Sequence, residues 1–169
     1  MIIIVLGVSG AGKTTVGKLL AEQLGWQFYE ADDFHPRANT DNMRRGIPLT
    51  DEDRRPWLDS LREQIMGSLS AKEDAVLACS ALKRAYRERL RVSGEVKFIF
   101  LRGDYALIAE QLRRRRGHFM NPDLLRSQFA DLEEPGPGED VLTVDVGRTP
   151  QELVEEIKTK LRFARRDSK

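Results

Sequence analysis

The sequence predicts an α/β domain built on a parallel five-stranded sheet flanked by helices. Three observations point there. Apolar runs at Ile2 to Leu6, Gln27 to Glu30, Ala75 to Cys79, Val96 to Leu101 and Val141 to Val146 alternate with helical patterns, the arrangement that produces a parallel sheet. The first run leads straight into Gly7-Val8-Ser9-Gly10-Ala11-Gly12-Lys13-Thr14, the spacing of a phosphate-binding loop, and a helical pattern follows it. The length, 169 residues, suits one core and leaves no room for a second, so residues 1–169 read as a single domain.

Taken in order, the first run is short, apolar and β-branched, and it is read as a strand and not as a leader or a membrane span. Val16, Leu19, Leu20 and Leu24 then recur at helical spacing, and Gly25 supplies a stop. Between the second and third strands the chain spends more than forty residues, far more than a crossover needs. Leu58, Leu61, Ile65 and Leu69 form a helical stripe there after Pro56, and the stretch of about 34–70 is expected to bind substrate. Asp104 is placed to cap the helix that carries Leu107, Ile108 and Leu112. Residues 133–140, Glu-Glu-Pro-Gly-Pro-Gly-Glu-Asp, resemble a linker, but too little chain follows to fold alone, so they are a loop within the domain. Thr149-Pro150-Gln151-Glu152 is a capping box with proline at the first helical position, opening a last helix with Leu153, Ile157 and Leu161 inward.

Composition narrows the partners. With 40% hydrophobic and 33% charged residues and a net charge of +1, no bulk field draws the chain to nucleic acid or to an anionic membrane. Cys79 is the single cysteine and lies in an apolar run, which excludes an internal disulfide and favours a buried thiol over a nucleophile. A reducing cytoplasm fits.

The chemistry starts at the loop. Glycines let backbone N–H groups turn inward round a polyphosphate, Lys13 neutralises its outer charge, Thr14 holds Mg²⁺, and the helix beginning near Lys13 aims its dipole at the same anion. The second strand ends in Glu30-Ala31-Asp32-Asp33, and strand carboxyl ends in an open parallel sheet face the ligand crevice. One acid can complete the Mg²⁺ shell while another, Asp32 by preference, accepts a hydrogen bond from an attacking hydroxyl. The alternative is that Asp32 and Asp33 only cap the next segment. His35, Arg37 and Arg54 suit a small anionic acceptor, the arginines gripping a carboxylate and the histidine a hydroxyl, or else they are ordinary surface and turn residues. Val76 to Ser80 carries no acid where phosphate-loop proteins often place one; this shifts the metal onto Thr14 and the strand-two acids and leaves Ser80 and Lys83 facing the crevice. Neither the Asp-Gly-x-Pro-Arg of nucleoside monophosphate kinases nor the Asn-Lys-x-Asp of GTPases is present. The run Arg113 to Arg116, followed by Gly117, reads as a lid over the phosphates or as a solvated helix end.

Together these segments resemble the gluconokinases. The resemblance rests on the phosphate loop, Asp32-Asp33-Phe34-His35-Pro36, Asn39, Met43, residues 46–54 with Pro56-Trp57-Leu58, residues 79–83, and His118-Phe119-Met120 through Ser127-Gln128-Phe129. Glu30-Ala31 stands where that family commonly has Asp-Gly. The resemblance implies a phosphate-loop kinase fold like that of shikimate and nucleoside monophosphate kinases, with a lid at about 114–124. It implies transfer of the ATP γ-phosphate to the 6-hydroxyl of D-gluconate by a cytoplasmic homodimer, with ATP and Mg²⁺ and without nucleic acid or membrane. Residues Gly7, Val8, Ser9, Gly10, Ala11, Gly12, Lys13, Thr14, Thr15 and Arg115 would bind nucleotide, and Thr14, Glu30 and Asp32 the metal. Asp32, His35, Arg37, Arg54, Ser80, Lys83, His118 and Gln128 would line the acceptor site, with Lys13, Asp32, Lys83 and Arg115 catalytic. Adenine would lie near Arg148 to Pro150. Two other readings stand beside this one: a kinase of shikimate or another sugar acid, and a nucleotide-dependent, nucleic-acid-associated module.

Overall fold

The computed structural model describes residues 1–115 and 122–166, with side chains through 162. The five expected strands form within a residue or so of their expected bounds: β1 (Ile2–Leu6), β2 (Gln27–Glu30), β3 (Ala75–Ala78), β4 (Val96–Arg102) and β5 (Leu142–Asp145). All pair in parallel in the order β2-β3-β1-β4-β5. The chain leaves β1 toward one edge to make β3 and β2, then returns to the other side for β4 and β5. The crevice at the carboxyl end of β1 is therefore the topological switch point, where open α/β sheets bind ligands.

Alternation along β1 divides the core in two. Ile3 and Val5 pack with Val16 and Leu20 of α1 (Lys13–Leu24) and with Val154 and Ile157 of α7 (Pro150–Arg166). Ile2, Ile4 and Leu6 point the other way, onto Leu58, Leu61 and Ile65 of α3 (Asp51–Ser70) and Leu90 of α4 (Arg84–Leu90). Strands β1, β3 and β4 are buried on both faces, as their unbroken apolar runs demand, whereas β2 and β5 are the sheet edges and stay partly exposed. The remaining helices are α2 (Arg37–Arg44), α5 (Tyr105–Arg114) and α6 (Pro122–Asp131). No helix among the described residues is long and apolar enough to cross a membrane.

The expected helix signals work as written. Gly25 takes a left-handed φ of 70° and its N–H closes α1 onto Ala21 and Glu22. Asp104 accepts from the Leu107 N–H at 2.8 Å, and Thr149 and Glu152 cap each other reciprocally. The long insertion differs from expectation, because α3 starts at Asp51 and Pro56 lies inside it. A second capping box is responsible: Thr50 Oγ1 accepts from the Asp53 N–H at 3.1 Å, and the Asp53 carboxylate accepts from the Thr50 N–H at 2.9 Å. That cap fixes the first turn, so the N–H that proline lacks is not needed to start the helix.

One buried cation ties the crevice loops together. The Arg87 side chain is 1% exposed and forks onto Glu139, with Nε at 2.5 Å and one terminal nitrogen at 3.0 Å. Its other N–H groups donate to the carbonyls of Ala81, Leu82 and Glu133 at 2.9–3.0 Å. Ala81 holds a left-handed φ of 39°, a conformation that costs an L-residue on the order of 1 kcal/mol or more. The linker-like stretch after α6 is thus clamped to the loop after β3. Leaving Glu139 buried without its partner by Arg87→Ala is expected to cost about 3 kcal/mol or more, measured by urea denaturation at neutral pH. The same pair sets a pH dependence. Hydrogen bonding to Arg87 holds the Glu139 carboxyl below its ordinary 4.5, so its stabilisation is complete above that value and is lost as pH falls through the lower folded value. The stability gap between wild type and variant should therefore narrow on acidification below pH 4.5.

Candidate active site

The phosphate loop fills the crevice beyond β1. Gly10 has φ +83°, and a Cβ there would meet Leu112 Cγ at 2.5 Å, so both conformation and space require glycine. Gly12, at φ 97°, hands the chain to α1 with no side chain capping the helix, and the first amides of α1 remain directed at the crevice. The Lys13 ammonium donates to the Val8 carbonyl at 3.0 Å and lies beneath the loop. Burial pulls its pKa below the ordinary 10.5, against the opposing pull of Asp32 and Glu30. A polyanion entering the loop would supply the negative charge that this buried cation lacks.

The strand-two acids follow in a single 3₁₀ turn, Ala31–Phe34, in which neither Asp32 nor Asp33 caps the segment through its side chain. Glu30 accepts from Thr14 Oγ1 at 2.5 Å. Burial raises the Glu30 pKa and Asp32 adds to the rise, while the Thr14 hydrogen bond opposes it. These oxygens fit Mg²⁺, a hard ion that keeps several waters and takes one or two protein oxygens beside those of phosphate. Among the described residues no three His, Cys, Asp or Glu side chains gather into a group that could hold a metal ion. Asp32 is exposed and lines two adjoining spaces, an open cleft of about 580 Å³ with Gly10, Gly12, Thr14 and Arg115, and a cavity of about 80 Å³ with His35, Arg54, Ser80 and Gln128. Ser9 and Lys13 also stand in both walls.

The insertion supplies one side of the smaller cavity, with His35, Met43, Arg54 and Trp57. The His35 ring stacks on Trp57 at 4.3 Å and 10°, and Trp57 is held in turn by donating Nε1–H to the Ala31 carbonyl at 2.7 Å. Burial lowers the His35 pKa below its ordinary 6.5, so the ring is neutral at physiological pH. Arg54 reaches the same cavity while donating to Tyr86 Oη and to the Asp131 carboxylate, each at 3.0 Å. Lys83 behaves differently from expectation. Its ammonium turns to Asp51 at 2.9 Å, which also accepts from Tyr86, and Ser80 and Leu82 form the cavity wall in its place. Arg37 is exposed at the start of α2 and is absent from both walls. Gln128 is present but committed to the loop, accepting from the Ser9 N–H at 2.7 Å and donating to Ser9 Oγ at 3.2 Å. The sequence assigns no role to Asn39, Asp51, Trp57, Tyr86 or Asp131; the usable signal was that Asn39, Asp51 and Trp57 fall inside the gluconokinase-like segments.

The arginine run splits between its two readings. Arg113 and Arg114 pair with Glu110 on the α5 surface, whereas Arg115 donates to Thr15 Oγ1 at 3.1 Å and lines the cleft. Most of the expected lid, including His118, lies outside the described residues. Beyond Arg115 a further space of about 250 Å³ runs past Thr15 to Arg148 and Pro150, where the adenine was expected. Cys79 is fully buried, its thiol pushed up to about 12, and plays no nucleophilic part.

A phosphate loop at the switch point, a cleft beside it and a separate acceptor cavity sharing Asp32 and Lys13 define a phosphate-loop kinase of small molecules. The shikimate kinase family model matches residues 9–162. A gluconokinase of Gluconobacter oxydans is 48% identical, with 92% of this chain and 88% of the relative aligned. A crystal structure of a gluconokinase from Sinorhizobium meliloti superimposes with a TM-score of 0.83 at 44% identity, covering 91% of this chain and 87% of that one. A shikimate kinase from Aquifex aeolicus, at 20% identity and a TM-score of 0.61 over 97% of this chain and 98% of that one, shares the fold. The chain belongs to the shikimate kinase family and, within it, to the gluconokinases.

Gly10 gives a direct check on the loop. Gly10→Ala should weaken binding of a fluorescent ATP analogue by about tenfold or more, ~1.4 kcal/mol, and should also lower the melting temperature by a few degrees, because the clash and the left-handed φ strain the folded loop. Adding Leu112→Ala relieves the clash but not the left-handed φ, so it should recover only part of the loss.

Proposed function

We propose that the protein transfers the γ-phosphate of ATP to the 6-hydroxyl of D-gluconate, releasing ADP and 6-phospho-D-gluconate. The observation that carries this reading is the double exposure of Asp32 and Lys13, which stand in the wall of both the nucleotide cleft and the acceptor cavity. A γ-phosphate held by the loop and a hydroxyl entering from the insertion would meet between them. Its support as gluconate chemistry comes from the family and from an acceptor cavity offering an arginine for a carboxylate and a neutral histidine for a polyol.

Phosphoryl transfer through a loose transition state needs little covalent help, so the chain acts mainly by positioning and charge. Loop amides and Lys13 hold the β- and γ-phosphates. Asp32 accepts a hydrogen bond from the attacking hydroxyl and orients its lone pair in line with the γ-phosphorus. The proton passes to the Asp32 carboxylate as the new O–P bond forms and the bond to the β-phosphate oxygen breaks, so that ADP leaves with that oxygen. Thr14, with Glu30 or Asp32, would hold Mg²⁺, which when bound neutralises charge on the β- and γ-oxygens. Arg115 covers the cleft from the end of α5 and bears on the transferring group. The family resemblance also supports a cytoplasmic homodimer, and light scattering on the purified chain tests the dimer.

Asp32→Asn should lower kcat for gluconate by a hundredfold or more, the usual scale of a positioned proton acceptor, with the ATP KM little moved. A loss within about tenfold in a coupled ADP-release assay would remove Asp32 from that role. Arg54→Lys keeps the charge but not the fork, and should raise the gluconate KM more than it lowers kcat. A panel of acceptor acids in the same assay tests the substrate, and a clear preference for another acid over gluconate would overturn the assignment.

A further inference from the structure

The chain of contacts behind His35 fixes more than the orientation of its ring. Asn39, on α2 one helical turn beyond His35, is 5% exposed, and its Nδ2 lies 2.7 Å from the Asp53 carbonyl and 3.3 Å from His35 Nδ1. A carbonyl oxygen can only accept, so the atom facing it is the amide NH₂ and the Asn39 side chain has one orientation. The second hydrogen of that NH₂ then meets His35 Nδ1, which must offer its lone pair. A neutral imidazole with an accepting Nδ1 carries its proton on Nε2. Among the described residues Nε2 has no hydrogen-bond partner, and the ring lines the acceptor cavity. Stacking on Trp57 and the Asn39 contact together leave the ring little freedom to flip.

The geometry points to Asn39 as a positioning residue that sets His35 as an Nε2–H donor toward a hydroxyl oxygen of the acceptor polyol. This rests on the gluconate reading and deepens it. With its one lone pair taken by Asn39, His35 cannot receive the proton of the attacking hydroxyl, and proton acceptance falls to Asp32 alone. The two polar groups that meet the acceptor here therefore differ in kind. His35 recognises an oxygen lone pair, and Asp32 recognises an O–H. An acceptor bearing an ammonium in place of the hydroxyl that faces His35 would find a donor opposite a donor.

The tautomer can be read directly. The chain has two histidines, so long-range ¹⁵N–¹H correlation spectra of the ¹⁵N-labelled protein at neutral pH, with His118→Gln to assign the signals, report the protonation of each His35 nitrogen. Expected is an Nε2–H ring with unprotonated Nδ1; an Nδ1–H ring or an imidazolium would overturn the inference. Asn39→Leu, or Asn39→Ser should the leucine variant not fold, removes the selecting contact. The His35 signal should then shift toward a mixture of tautomers and the gluconate KM should rise about tenfold, the scale of one lost neutral hydrogen bond, with the ATP KM within about twofold of wild type. In wild type, one monodeoxygluconate should show a comparable loss in kcat/KM, and that loss should shrink in the Asn39 variant. A folded variant with an altered tautomer and unchanged acceptor kinetics would remove the positioning role. Absence of gluconate turnover in wild type would instead count against the substrate assignment and leave the tautomer measurement standing.

Discussion

A buried ammonium with no carboxylate hydrogen-bonded to it sits at the centre of this molecule. Lys13 lies beneath the phosphate loop at the carboxyl end of the central strand and at the amino end of a helix, whose dipole opposes its charge, while it donates to the Val8 carbonyl. The strand that leads into the loop, β1, is buried on both faces. The strand-two acids answer the same constraint. Glu30 is itself raised by burial and accepts a hydrogen bond from Thr14. Charges of both signs are thus held near one another beside the phosphate loop.

Much of this was legible in the sequence, and the reasons are specific. Strands buried on both faces give unbroken apolar runs, so β1, β3 and β4 announced themselves, and the loop announced the switch point. Caps are local chemistry, which is why Gly25, Asp104 and the Thr149 box read correctly. Thr50 and Asp53 carry the same kind of signal, but Pro56 drew attention to a later start for α3. The partners of charged side chains were the least legible part. Lys83 was expected to face the acceptor, yet its ammonium is engaged by Asp51, and Gln128, which does line the acceptor cavity, is also tied to Ser9; these partners are 32 and 119 residues away in sequence. No periodicity encodes a contact of that span. The arginine run was legible only in part, since Arg115, which lines the cleft, differs from Arg113 and Arg114, paired with Glu110, only in where it falls around the end of α5.

Helix α6 links the two halves of the site. Gln128 grips Ser9 in the phosphate loop, and Asp131, one turn further on, holds Arg54 of the acceptor cavity. The helix also begins at Pro122, within the stretch of about 114–124 expected to form the lid. A carboxylate arriving at Arg54 competes with Asp131 for the same guanidinium, so acceptor binding and the seating of α6 share one contact. Arg87 fixes the far end of this arrangement by clamping the stretch after α6 to the loop after β3. Donor and acceptor sites are therefore joined by a rigid element whose side chains touch both.

The placement of the insertion has an evolutionary corollary. Residues from His35 to Trp57 form one continuous segment between β2 and β3, pinned to the scaffold through a small set of contacts such as Trp57 to the Ala31 carbonyl and Arg54 to Asp131. The donor machinery lies in a different segment and makes its own fit to the sheet. Acceptor preference can then diversify by exchange of a single stretch of chain while the phosphate-handling apparatus is inherited unchanged, so that lineages sharing one donor architecture can come to phosphorylate unlike acids.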